Sequence, residues 1–217
     1  MTGDRIQTHI LSSRILPNAD PLLLEQLHAP EGHRSIGFFT TDCDDVSYAA
    51  IDEATKTARV SVIYARSFYA GSSNASTALA GEFIGALSGP TPADVRSGLE
   101  AAVKYATEEA AFFSAREDDA VVYFAHCISR TGSYLSAQAG VPEGTAMAYL
   151  IAPPMEAMIG LDAALKEANV TMRVFYGPPT ETNFAGGLLT GEQAACQAAC
   201  RAFADTVCDI AATPLLF

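Results

Sequence analysis

The sequence predicts an α/β chain built from one module written twice. Two observations carry that expectation. Strand-like and helix-like stretches alternate along the 217 residues. Three blocks of similar residues also recur in the same order in the two halves. The composition allows such a chain to fold: 49% of residues are hydrophobic and 18% charged, enough for a packed core and too apolar for disorder. The length suits one large domain or two small ones.

The repeat is read directly from the residues. Pro30-Glu31-Gly32 returns as Pro142-Glu143-Gly144, 112 positions later. IDEATKTARVSV at 51–62 resembles LDAALKEANVTM at 161–172, an offset of 110. IGALSG at 84–89 resembles GGLLTG at 186–191, an offset of 102. The offset shrinks only at loop-like places, as expected when two copies diverge in their connections. The expected domains are 1–115 and 116–217.

In the first copy a strand is expected within 6–16, another over 35–41, a helix near 46–58 and a strand over 60–64. A small-residue loop, 67–81, and a short strand precede a long helix that starts at Thr91, with Pro92 just inside and Asp94 behind it. Val95, Leu99, Val103 and Ala106 share one face of that helix. The second copy repeats the order: strands within 120–128 and over 146–152, a helix near 155–168, a strand over 170–176, a loop over 177–187 and a short strand. Its long helix is expected from Thr190, with Gln193 three residues on, and an apolar stripe of Cys196, Cys200, Phe203, Val207 and Ile210.

Charge excludes several functions. The net charge is −12, and each part carries −6 when the chain is divided after residue 110. Nucleic-acid backbones need clustered Lys and Arg, so no nucleic-acid partner is expected. Small cations are attracted instead. Asp4 and Arg5 open a mixed polar start that does not read as a signal peptide. Residues 146–165 are mostly apolar, but Pro153, Pro154, Glu156 and Asp162 interrupt them, so no membrane span is expected. Five cysteines, an odd number without close pairs, suggest reduced thiols in a cytosolic setting.

Chemical motifs are weak. His126-Cys127 with Arg130-Thr131-Gly132 suggests a cysteine phosphatase loop, but Arg130 comes too soon and Ser133 stands where the cradle would close. A strand end with a structural or subunit contact for Arg130 reads better. Cys196 and Cys200 lie one turn apart without further ligands, which favours core packing over a metal. Asp42, Asp44 and Asp45 begin like a calcium loop, but Val46 breaks the pattern. No phosphate loop, dinucleotide fingerprint or nucleophile elbow occurs, and nothing places one of the four histidines beside a nucleophile and a carboxylate. The acidic cluster follows a strand directly, so it is either a helix cap alone or a cap that also binds a ligand. The two small-residue loops suit a static turn or a mobile lid.

The segments TTDCDDVSYAAIDEATK, YARSFYAGSSNAS, SRTGSYLS, MAYLIAPPMEA, PPTETNFAGGLLTG and QAACQAAC together resemble the L-type shell proteins of ethanolamine-utilization bacterial microcompartments, over nearly the whole chain. That resemblance implies two tandem, circularly permuted domains of the BMC type (ferredoxin-like α+β) and a flat pseudohexagonal homotrimer. It implies a structural, non-enzymatic role in the polyhedral shell of a cytoplasmic organelle, beside other shell proteins. Residues 69–76 and 180–186 would then gate a central pore, with Tyr69, Gly71, Asn74, Thr180, Asn183 and Phe184 among them. Asp44, Asp45, Glu82 and Phe112 match positions lining a small acidic pore that Thr182 would also reach. Carboxylates there would accept bonds from the ethanolamine ammonium, and the Phe112 ring would offer it a face. Binding must stay weak enough for release. No cofactor is required; a corrinoid such as cobalamin would pass the central opening or sit between subunits. The alternatives are a soluble ethanolamine- or corrinoid-binding sensor, and an enzyme using Cys127 or Cys43.

Overall fold

The computed structural model describes residues 2–67, 82–178, 180 and 183–215. They form ten strands and six α-helices: β1 (Arg5–Ile6), β2 (Ile10–Leu16), α1 (Pro21–Gln26), β3 (Ser35–Thr41), α2 (Asp44–Thr57), β4 (Ser61–Ser67), β5 (Phe83–Gly89), α3 (Pro92–Lys104), β6 (Phe112–Ser114), β7 (Val122–Ile128), α4 (Ser133–Ala139), β8 (Met147–Ala152), α5 (Pro154–Glu167), β9 (Val170–Tyr176), β10 (Ala185–Gly191) and α6 (Gln193–Ala212). A π-helical turn, Tyr105–Glu109, extends α3.

The chain forms two compact units. Of the described residues, the N-terminal unit holds 8–67, 82–110 and 132–137, and the C-terminal unit holds 2–7, 111–131, 138–178, 180 and 183–215. The boundary between them is therefore not the expected single cut after residue 115. Residues 2–7 leave the first copy because β1 pairs with β6 beside β7.

In the N-terminal unit an antiparallel sheet runs in the order β2-β3-β5-β4. Alternate residues of β3 face opposite ways. Phe39 packs with Phe83, ring centroids 5.5 Å apart, and Gly37 sits under α3. A Cβ on Gly37 would stand 2.5 Å from Val95, so this glycine sets the helix–sheet distance. Ile36 faces the other way, onto Ala19 and Ala86, where Leu24 and Leu27 anchor α1. Thr91 caps α3 as expected: its hydroxyl accepts from the Asp94 amide at 3.2 Å and donates to the Asp94 carboxylate at 2.6 Å.

The C-terminal unit repeats that order as β7-β8-β10-β9 and adds β6 and β1 beyond β7. Its core lies between the sheet and the α5–α6 pair, around Leu150, Leu161, Leu189 and Phe203. Gly160 lets α5 meet α6 closely, since a Cβ there would lie 2.8 Å from the Phe203 ring. The element starts keep the offsets read from the sequence: 110 between α2 and α5, and 102 between β5 and β10.

Two expectations shift in this unit. The long helix begins at Gln193 with Glu192 at its cap, not at Thr190. Thr190 and Gly191 are still paired with Thr171 and Val170 of β9, so the strand holds them. The loop expected over 177–187 ends sooner, because Ala185, Gly186 and Gly187 pair with β8. Gly186 is required there: a Cβ would lie 1.9 Å from the Leu150 carbonyl.

Candidate functional site

The acidic residues that follow β3 open α2. Asp44 and Asp45 are its first two residues, and both are buried. Neither is the cap: Cys43 holds that position, with no side-chain bond to the helix. The two carboxylates lie instead in the first turn, where the helix dipole favours negative charge. One Asp44 oxygen accepts from the Asp45 amide at 2.9 Å. Around them, Thr41 Oγ1 and Ser47 Oγ lie 2.6 Å apart, and the Ser47 hydroxyl donates to the Cys43 carbonyl at 2.7 Å.

Burial raises the Asp44 carboxyl well above the usual carboxylate range, the Asp45 charge adds to that, and a hydrogen bond from Ser67 partly opposes it. Ser67 also lies 2.9 Å from the Tyr48 hydroxyl, which ties the end of β4 to α2. The arrangement is a pair of adjacent buried carboxylates. Such a pair favours a proton or a small cation carrying N–H donors. Glu82, partly buried, precedes β5 in the same unit.

The other expected site residues divide. Phe112 belongs to the C-terminal unit, on β6, and is 3% exposed. Its ring stacks on Phe124 at 5.4 Å and meets Phe184 at 6.0 Å, so it is a core ring within its own unit. Thr180, Asn183 and Phe184 close on one another: the Thr180 hydroxyl donates to the Phe184 carbonyl at 2.8 Å, and the Asn183 amide to the Thr180 carbonyl at 3.2 Å. Asn183 adopts φ +65°, which asparagine tolerates. Tyr69, Gly71, Asn74 and Thr182 lie outside the described residues.

Several contacts were not anticipated from sequence. His9 meets Asp42, with Nδ1 and Oδ2 2.7 Å apart and the His9 amide donating to Oδ1 at 2.8 Å. His33 Nδ1 lies 2.8 Å from Ser88 Oγ, but Ser88 is fully buried. Asp52 on α2 accepts the Gly132 amide at 2.7 Å and the Leu135 amide at 2.8 Å. Thr55 accepts the Ser133 amide at 3.0 Å. The Arg130-Thr131-Gly132 motif thus leads into a helix start held by α2. The signal was present in the recurrence of Asp52 as Asp162, but nothing local said which copy would bury it.

The thiols are set against nucleophilic chemistry. Burial pushes Cys127 up to about 11, with Cys196 adding to it. Cys43 is raised too, by burial and by Asp44 and Asp45. A reactive cysteine needs the opposite shift. Among the described residues no group of His, Cys, Asp and Glu is arranged to hold a metal ion, and no helix is long and apolar enough to cross a membrane.

Comparison with known proteins agrees with this architecture. The BMC domain family matches residues 35–116. The bacterial microcompartment shell protein EutL of Clostridium perfringens is 57% identical over 217 residues, covering all of both chains. EutL of Salmonella typhimurium is 47% identical over 212 residues, 98% of this chain and 97% of that one. The crystal structure of the ethanolamine utilization protein EutL from Leptotrichia buccalis superposes with a TM-score of 0.95 at 60% identity, covering all of both chains. With full-length identity at this level and the same fold, the chain belongs to the EutL family of bacterial microcompartment shell proteins.

Proposed function

We propose that this chain forms a homotrimeric tile in a microcompartment shell and acts by permeation, without turnover. The observation that carries the reading is the doubled module. Two units share one strand order, so the three chains that the resemblance to this family implies would supply six similar units to a pseudo-sixfold ring. A flat ring of that kind tiles a shell facet beside other shell proteins.

In this reading Asp44, Asp45 and Glu82 line a small pore for ethanolamine. The adjacency of Asp44 and Asp45 supports it, because two neighbouring carboxylates can both accept bonds from one ammonium. Residues 69–76 and 180–186 control a wider central opening that passes bulky cargo such as nucleotides or a corrinoid. No cofactor takes part.

Two measurements test this. Light scattering at micromolar concentration should give the mass of a trimer, and a stable monomer refutes the tile. Calorimetric titration should show ethanolamine binding weakened by Asp44→Asn with Glu82→Gln while the trimer persists. Unchanged affinity refutes the pore assignment. A bound ammonium competes with the Asp44 proton, so affinity should rise with pH through the raised Asp44 pKa.

A further inference from the structure

A cleft of about 550 Å³ lies between β2 and α3, inside the N-terminal unit. That volume suits a small organic molecule. None of its lining residues belongs to the acidic cluster. Leu99 and Val103 of α3 and Ile15 of β2 give it an apolar floor. Arg96 and Lys104 line it from α3, and Arg14 from the edge strand β2. Two carboxylates stand with them: Glu100 on α3 and Glu108 on the π-helical turn.

These charges are not paired with one another. Glu100 is one helical turn from both Arg96 and Lys104, a spacing at which ion pairs form. Yet among the described residues the side chains of Arg96, Lys104, Glu100 and Glu108 make no hydrogen bond or ion pair. The Arg14 guanidinium donates to the neighbouring Ser13 carbonyl at 2.9 Å. The chain has 13 Lys and Arg against 25 acids, so three cations at one cleft reverse its charge locally.

The second copy closes the same place. Leu99 and Val103 return as Cys200 and Ala204, 101 residues later, and Ile15 as Cys127, 112 residues later. Cys127, Cys200 and Ala204 pack into the C-terminal core. Arg14, Arg96 and Lys104 become His126, Gln197 and Asp205. Folding of this module therefore needs neither the opening nor the cations.

We infer that the cleft binds a nucleoside phosphate. Arg14, Arg96 and Lys104 donate to the phosphate oxygens in charge-assisted bonds. Glu100 and Glu108 accept from the ribose hydroxyls, which accounts for carboxylates in a site for an anion. The base lies on the floor of Leu99, Val103 and Ile15. A bare anion would leave that floor and both carboxylates unused, and an apolar ligand would leave the cations unpaired. The site is complete within one unit, so it does not depend on the trimer reading.

Calorimetric titration of the whole chain with AMP at low salt tests it. Saturable binding is expected, weakened at least about 10-fold by Arg96→Gln with Lys104→Gln. Val103→Trp fills the cleft without changing charge and should weaken binding as much. Arg201→Gln removes an exposed charge from the other unit and should leave affinity unchanged. Circular dichroism checks that each variant folds. Adenosine and inorganic phosphate should each bind at least about 10-fold more weakly than AMP. Absence of saturable AMP binding overturns the proposal. So does binding that the cleft variants leave unchanged, or that Arg201→Gln weakens equally. Inorganic phosphate binding as tightly as AMP overturns the nucleoside assignment.

Discussion

Asp52 on α2 and Asp162 on α5 stand at equivalent places, 110 residues apart, in helices of equal length. Asp52 is fully buried and satisfies two backbone amides of the segment over it. Asp162 is exposed and pairs with Lys166 one turn away, at 2.6 Å. The same residue in the same helical frame is structural in one unit and a solvated surface charge in the other. What differs is whether a neighbouring segment covers the helix. An aspartate's contribution is set by which donors its surroundings leave unpaired, not by its own helix.

That contrast is sharpest under truncation. Asp52→Ala should cost about 3 kcal/mol, because two buried amides lose their acceptor, whereas Asp162→Ala should stay within about 0.5 kcal/mol. Urea unfolding of the two variants measures it, and equal costs would break the comparison. Gly132→Ala attacks the same contact from the other side. A Cβ there would lie 2.5 Å from the Asp52 backbone carbonyl, which the helix holds in place. The expected loss is about 2 kcal/mol, read from the same unfolding curves.

The helix starts give a second contrast. Asp44 opens α2 where Pro154 opens α5. The folded Asp44 carboxyl binds its proton more tightly than an unfolded one. Its contribution to stability therefore falls as pH rises from the ordinary carboxylate range through the raised folded pKa. Asp44→Asn should flatten that decline and leave the chain more stable than wild type at neutral pH. Thermal unfolding from pH 4 to 8 checks it, and a parallel pH profile refutes it. The smallest contrast compares Thr91, which caps α3, with Glu192, which makes no side-chain cap on α6. Thr91→Ala should cost about 1 kcal/mol and Glu192→Ala close to nothing, both read from melting temperatures.

Much of the architecture was legible along the chain. The strand over 35–41 and the strand over 170–176 lie where alternation and β-branched residues put them, and Thr91, Pro92 and Asp94 mark a helix start that forms as read. The misses have physical causes. Thr190 carries a helix-start residue type, but its pairing with Thr171 and the bond from Arg173 to its hydroxyl at 3.0 Å hold it in the sheet. Ala185–Gly187 look like loop residues because they are small, yet they are small so that β8 and β9 can approach. At the acidic site, the sequence located the carboxylates but not their depth. Asp44 and Asp45 would look like surface caps if α2 did not begin two residues earlier than its apolar pattern suggests.

The sequence alone determined the doubled module, the order of its elements and the acidic helix start, because periodicity, small-residue punctuation and repetition are local properties of a chain. Tertiary structure alone decided that Asp52 is buried while Asp162 is not, that His9 meets Asp42, and that Phe112 is a core ring. Those outcomes depend on which distant segment covers each face. Two copies with nearly the same local code can meet different coverings, and burial changes the energy of a charge more than any neighbour in sequence does.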